Sequence, residues 1–271
     1  MKLRSTFIAL AAALVASSAQ ADPDLWFSDS SGRLGIIDVV TGELTTVGNM
    51  SQTMTDLAFS PSGELFGTTF GALWRIDTTN AATTFVGNHS SNVNSLVFGS
   101  DGTLYAASNT LYTLDPSNAA ATTVGSIPFS SAGDLAFVGG ELYLSTVFSG
   151  TNDLIRINRA TGAGTVVGSI GRAEVFGLAS PNGSDLFGMA GNTVFSIDVA
   201  TGAAGPDLQD FSSMGFSQVF GTTFFEEALP PPMPAIPEPS TWALMGLGMA
   251  ALTWAVRRQR AGATPVGRAN A

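Results

Sequence analysis

Few side chains of this sequence are equipped for chemistry, and those that are lie far apart. Asp56, Asp134 and Glu174 are carboxylates beside turn-rich stretches, and Asn92 and Gln218 hold comparable places with amides, spaced roughly 40 residues from one to the next. Brought to one point, such groups would offer oxygens to Ca2+ or to a polar ligand. A close pair of the acids could move a proton in hydrolysis.

Other reaction types find no residues to run on. The chain has no cysteine and one histidine, His89, so thiolate chemistry and a His-rich metal centre are excluded, and a Ser/His/Asp triad could draw on His89 alone. No glycine motif of the phosphate-cradling kind occurs. His89 stands in Asn88-His89-Ser90-Ser91-Asn92, a run that reads as an exposed turn. The Asp-Gly turns lack the ligand alternation of a calcium loop, so no cofactor is expected, with Ca2+ at a shared site the one exception to keep in view.

What positions the candidate residues is a repeat. The phrase Ile37-Asp38-Val39-Val40-Thr41-Gly42 returns at Ile76-Asp77, Leu114-Asp115, Ile157-Asn158 and Ile197-Asp198, in steps of 39, 38, 43 and 40 residues. It reads as a strand end and a tight turn, in which Asp or Asn accepts N–H groups two or three residues on. Gly42, Gly162 and Gly202, with Asn80 and Asn118, are expected to take φ > 0. Each repeat also carries an acidic-or-Thr, Leu, aromatic strand (Trp26, Phe66, Tyr105, Tyr143, Phe187), a Thr/Val strand ending in Gly, and an apolar strand such as Asp56-Leu57-Ala58-Phe59. Four strands per period of about 40 predict propeller blades. The aromatic series, at one fixed place in every repeat, is expected to pack between blades rather than to form a sugar platform.

The first repeat lacks its apolar strand, and a spare one, Val219 to Phe225, stands after the fifth. The expectation is an all-β, five-bladed propeller whose C-terminal strand closes the first blade and removes both open edges. Aligning Asp56, Ser95, Asp134, Gly177 and Gly221, the residues three earlier are Thr53, Asn92, Ser131, Glu174 and Gln218, all polar. They would ring one mouth of the central channel, with Asp56 and Asp134 close by.

Both ends of the chain concern location. Lys2 and Arg4 precede an apolar run, Phe7 to Ala16, and Ala19-Gln20-Ala21 fits signal peptidase, so export with cleavage before Asp22 is expected. Between Asp22 and Ile236 the only cations are Arg33, Arg75, Arg156, Arg159 and Arg172, against all but one of the 21 acidic residues. Nucleic acid and anionic lipid are therefore excluded as partners. The expected organisation is a signal peptide over 1–21, a propeller over 22–229, a Pro-rich linker over 230–236, a sorting segment over 237–260 and a short tail over 261–271.

The sorting segment has three parts in order: Pro237-Glu238-Pro239, an apolar stretch from Thr241 to Val256, and the basic cluster Arg257, Arg258 and Arg260. It resembles the PEP-CTERM sorting domain of Gram-negative bacteria. The resemblance implies recognition of Pro237, Glu238 and Pro239 by an exosortase, and an association with surface display, exopolysaccharide and biofilm. Sixteen apolar residues make about 24 Å of helix against a core of about 30 Å, a marginal span suited to a transient inner-membrane intermediate. The arginines would stay cytoplasmic and residues 22 to 240 outside.

Two functions follow as expectations. The favoured one is an exported, exosortase-processed surface protein whose propeller is a non-catalytic binding or structural component, with a glycan as its partner. The alternative is a propeller hydrolase or lactonase with a carboxylate or Ca2+ site at the channel mouth.

Overall fold

The computed structural model describes residues 23–148, 150–229, 254 and 257–258. The expected signal peptide, the sorting tripeptide, Arg260 and most of the expected transmembrane helix lie outside them. Among the described residues no helix is long and apolar enough to cross a membrane.

Among the described residues, alternating and doubly buried apolar runs separated by turns give 20 strands in chain order. The first blade contributes β1 (Asp24–Asp29), β2 (Arg33–Asp38) and β3 (Leu44–Asn49). The second holds β4 (Asp56–Phe59), β5 (Leu65–Thr68), β6 (Ala72–Ile76) and β7 (Thr83–Asn88), and the third β8 (Ser95–Phe98), β9 (Leu104–Ala107), β10 (Thr110–Leu114) and β11 (Ala121–Ser126). In the fourth are β12 (Ser131–Val138), β13 (Glu141–Phe148), β14 (Thr151–Ile157) and β15 (Gly164–Ser169); in the fifth, β16 (Val175–Ala179), β17 (Leu186–Ala190), β18 (Thr193–Ile197) and β19 (Ala204–Asp210). The last strand, β20 (Val219–Phe224), pairs antiparallel with β1, Leu25 opposite Phe224, so the first sheet has the order β20-β1-β2-β3. The protein is a closed five-bladed propeller with four-stranded blades.

Its core lies in the seams between blades. Five clusters of buried apolar side chains each draw on two neighbouring blades, including the cluster of Leu25, Phe27, Ala179, Val194 and Phe224 where the fifth blade meets the first. The repeated aromatic of the second strand crosses four of the seams to an aromatic of the next blade. Trp26 meets Phe59, Phe66 meets Phe98, Tyr105 meets Phe137 and Phe187 meets Phe224, with ring centroids 5.4–5.8 Å apart. Tilted and edge-on pairs of this kind add to the burial of the rings themselves.

A second device recurs in the outer strand. Gly48, Gly87, Gly125 and Gly168 lie beside a β-bulge, and a Cβ on any of them would collide with a backbone carbonyl oxygen of the next blade's turn, at Asn80, Asn118, Thr161 and Thr201. The fifth blade has Gln209 at this place. Its Nε2 donates to the carbonyls of Val39 and Val40 in the first blade's turn, each at 3.2 Å, so a side-chain amide does across the closing seam what close backbone packing does elsewhere. Pro206 is accommodated on this outermost strand, where the ladder is already interrupted by bulges.

The turn phrases are built as expected in one respect and not in another. Asp38, Asp77, Asp115, Asn158 and Asp198 each accept the N–H two residues on through Oδ1, at 2.8–2.9 Å. The left-handed position, however, falls on Ala81 (φ 62°) and Ala119 (φ 63°), not on Asn80 and Asn118. The two Asn side chains instead accept from the N–H of Ala82 and Ala120, at 2.8 Å. The buried alanine methyls fill the seam beside Gly48 and Gly87, contacts that favour a Cβ there.

Candidate functional site

Around the axis the inner strands follow one another in a closed ring, β4, β8, β12, β16, β20 and back to β4. Asp56 on β4 and Asp134 on β12 are fully buried there. Asp56 accepts the N–H of its neighbour Leu57 on Oδ1 (2.7 Å) and of Leu96 in the third blade on Oδ2 (2.6 Å). Asp134 accepts Leu135 N–H on Oδ1 (2.7 Å); its Oδ2 takes Leu178 N–H from the fifth blade (2.7 Å) and both the N–H and the hydroxyl of Thr222 on the closing strand (3.2 and 2.9 Å). The charge of each carboxyl group is felt by the other. All five blades therefore meet in one acid pair.

Room for this arrangement comes from Gly221, where a Cβ would collide with the backbone of Asp56, and from Gly177, where it would press on Thr222. Ser95 and Ser131 hydrogen-bond through their hydroxyls beside the pair. A third acid stands close by. Glu227, in the 3-10 turn Phe225–Ala228 that follows β20, is buried and accepts Phe137 N–H at 3.1 Å. The chain thus leaves the ring at the far ends of the inner strands. Burial first, and then the mutual charge, raise Asp56 and Glu227 well above the usual carboxylate range; burial also raises Asp134. The group is a buried acid lock, with its oxygens committed to N–H groups of neighbouring strands that a cation would have to displace.

The remaining polar residues singled out by the sequence lie on the rim. Glu174 and Gln218, from adjacent inter-blade loops, are brought together, Gln218 Nε2 donating to Glu174 Oε2 at 3.0 Å. Asn92 is exposed in its own loop at φ 40°, and Glu174 has φ 57°. Ser131 is inside, Thr53 outside. Asp56 and Asp134 stand within the ring and not beside these rim groups.

His89 is buried, not exposed as its loop composition implies. Its Nε2 bonds Thr68 Oγ1 at 3.0 Å, its Nδ1 has no partner among the described residues, and burial holds its pKa down. The loop folds back over the second blade because His89 N–H reaches the Gly71 carbonyl, 3.0 Å away.

What the polar pattern does not reveal is an apolar cavity of about 240 Å³ at the mouth. Thr55, Asn94, Gly133, Phe176 and Phe220, each one position before an aligned inner-strand residue, line it together with Phe70 and Ala132. Phe176 and Phe220 stand edge to face with centroids 6.1 Å apart. Phe70, at the β5–β6 turn, is 57% exposed. The signal was present as two phenylalanines in register; it is masked by the ordinary use of aromatics in seams.

No curated protein sequence matches this one. Among solved structures, a chain of the nidogen/laminin complex superposes with a TM-score of 0.55 at 10% identity, covering 76% of this chain and 99% of that one. A symmetrical protein from work on de novo evolutionary emergence reaches 0.49 at 16% identity (78% and 99% covered). A protein named as a candidate gluconolactonase reaches 0.48 at 14% (75% and 82%). At such identities the first likeness speaks for a shared fold alone. The PEP-CTERM protein-sorting motif matches residues 235–259, the mark of a protein exported to the cell surface of Gram-negative bacteria through exosortase processing. Over residues 68–218, more than half its length, the chain matches and belongs to the family described as a repeat of unknown function, DUF6923.

Proposed function

We propose that the mature protein is a non-catalytic binding or structural component displayed at the cell surface by its C-terminal signal. The observation that carries this reading is the bonding of the acid pair. Asp56 and Asp134, the acid pair at the axis, are sealed from solvent and spend their oxygens on N–H groups of neighbouring strands, so neither is open to activate water. A hydrolase or lactonase would need that acid pair open, or a cation between acids. The link to exopolysaccharide or biofilm matrix is supported by the sorting signal alone. Signal peptidase before Asp22 and a transient inner-membrane stage complete the proposed route.

The test uses the natural host. Mass spectrometry of the surface fraction should find a protein starting at Asp22 and ending near Pro237-Glu238-Pro239, and Glu238→Ala should leave the precursor in the inner membrane. The recovered protein should not turn over ester or lactone substrates, with or without Ca2+. Turnover that Asp134→Asn abolishes, in a variant shown still to be folded, would replace this reading with the hydrolytic one.

A further inference from the structure

We infer that the mouth cavity is a binding site for a small, uncharged aromatic molecule. This rests on the reading of the propeller as a binding module and names what it binds. Three aromatic side chains form the walls: Phe176 and Phe220 face each other edge to face, and Phe70 overhangs with more than half of its surface in water. The cavity measures about 240 Å³. An apolar cavity of about 150 Å³ already accommodates a benzene ring, so this one has room for a substituted single ring or a fused pair.

The charge pattern decides between ligand classes. Among the described residues no acidic or basic side chain lines the cavity, so a charged ligand would lose hydration without an ion pair in return. A sugar needs several converging donors and acceptors, and the described lining residues offer two polar side chains, Thr55 and Asn94. Both are partly spent: Thr55 Oγ1 donates to the Thr68 carbonyl at 3.1 Å, and Asn94 Nδ2 to the Ser131 carbonyl at 3.2 Å. Asn94 keeps a second amide hydrogen, and its Oδ1, which accepts from Ser95 Oγ at 3.4 Å, keeps a second lone pair, so the amide can give one hydrogen bond to a phenol oxygen or take one from an indole N–H. Aromatic walls and a single polar contact suit a phenol- or indole-like molecule. The site is at the opposite end of the inner strands from Glu227.

Equilibrium dialysis of the mature protein from the surface fraction tests this with four probes: indole, p-cresol, benzoate and methyl β-glucoside. Indole and p-cresol should bind saturably with one site, and benzoate and the glucoside at least about tenfold more weakly. Phe70→Ala, which removes an exposed ring, should weaken indole binding by about fivefold with the melting temperature unchanged. Phe176→Ala should do the same or more. Absence of saturable binding by either neutral aromatic, equal binding of the glucoside, or indole affinity unchanged in both variants would overturn the assignment. Failure here in a protein that is surface-displayed and inert toward esters leaves the reading as a surface module standing; ester turnover would instead remove that reading.

Discussion

Thr222, on the strand that returns from the C-terminal side to close the first blade, gives both its N–H and its hydroxyl hydrogen to Oδ2 of Asp134, on the inner strand of the fourth blade. The first and fourth blades are not neighbours through that contact in sequence or in a sheet. One carboxylate oxygen, shared also with Leu178 of the fifth blade, joins three blades at the axis. Closure of the ring is therefore secured twice, by the β1–β20 ladder at the edge and by Asp134 at the centre.

Replacing Asp134 by Ala should accordingly cost about 2–4 kcal/mol of stability, since the buried N–H groups of Leu178 and Thr222 lose their acceptor in a place water does not reach. Glu174→Gln, on the exposed rim and still able to accept from Gln218, should stay within about 0.5 kcal/mol of the parent. Urea denaturation of the two variants decides the point. Equal midpoints would mean that the acid pair carries no part of the closure.

The contrast between these two residues shows what the sequence makes legible. Period, blade number and the closing strand can be read because they rest on spacing and on turn chemistry, which are local. The register of the inner strands can be read as well, as the cavity lining shows by drawing one residue from each aligned position. Depth cannot. Asp134 and Glu174 are both carboxylates near turns, but the first lies on an inner strand, and Gly177 and Gly221 let the neighbouring strands close around it. His89 is hidden for a similar reason, since its loop is polar in composition while its fold is fixed by a backbone contact to Gly71. The left-handed turn residues escaped because Ala81 and Ala119 are held at positive φ by the seams they fill.

The seam glycines lend themselves to a second measurement. Gly125→Ala places a methyl group against the backbone carbonyl of Thr161, which cannot rotate away as a side chain could. A loss of about 1–3 kcal/mol is expected, as for other overpacked sites. Gly71→Ala is the matched control, with nothing within 4 Å of the added Cβ and no positive φ. Thermal unfolding that fails to separate the two would argue that the blades can slide apart at little cost.

Truncation addresses the ladder. A chain ending before Val219 leaves β1 without its partner and Asp134 without Thr222, and removes Phe224 from the core between the first and fifth blades. The loss should far exceed what its length implies, because an open ring exposes both a strand edge and an apolar seam. Calorimetry should show either no cooperative transition or one at a much lower temperature. A melt like that of the parent would require closure by some other contact.

The acids at the axis predict a dependence on pH whose sign follows from their direction of shift. Asp56, Asp134 and Glu227 hold protons more tightly folded than unfolded, so their contribution is fully present below the usual carboxylate range and is lost as pH rises through the raised folded-state values. His89 works the other way: its lowered pKa costs stability as pH falls below the ordinary imidazole range, which blurs the profile of the parent between about pH 4 and 6.5. Comparison with Glu227→Gln removes that difficulty, because His89 is common to both proteins. The amide resembles the protonated acid, keeping an oxygen for Phe137 N–H and a donor on its other atom, but it does not titrate. The parent should be at its best relative to the variant at low pH and should lose ground as pH rises, and urea midpoints taken at intervals from pH 4 to pH 9 measure this directly. A difference that stays constant over the whole range would show that Glu227 does not change its charge on unfolding.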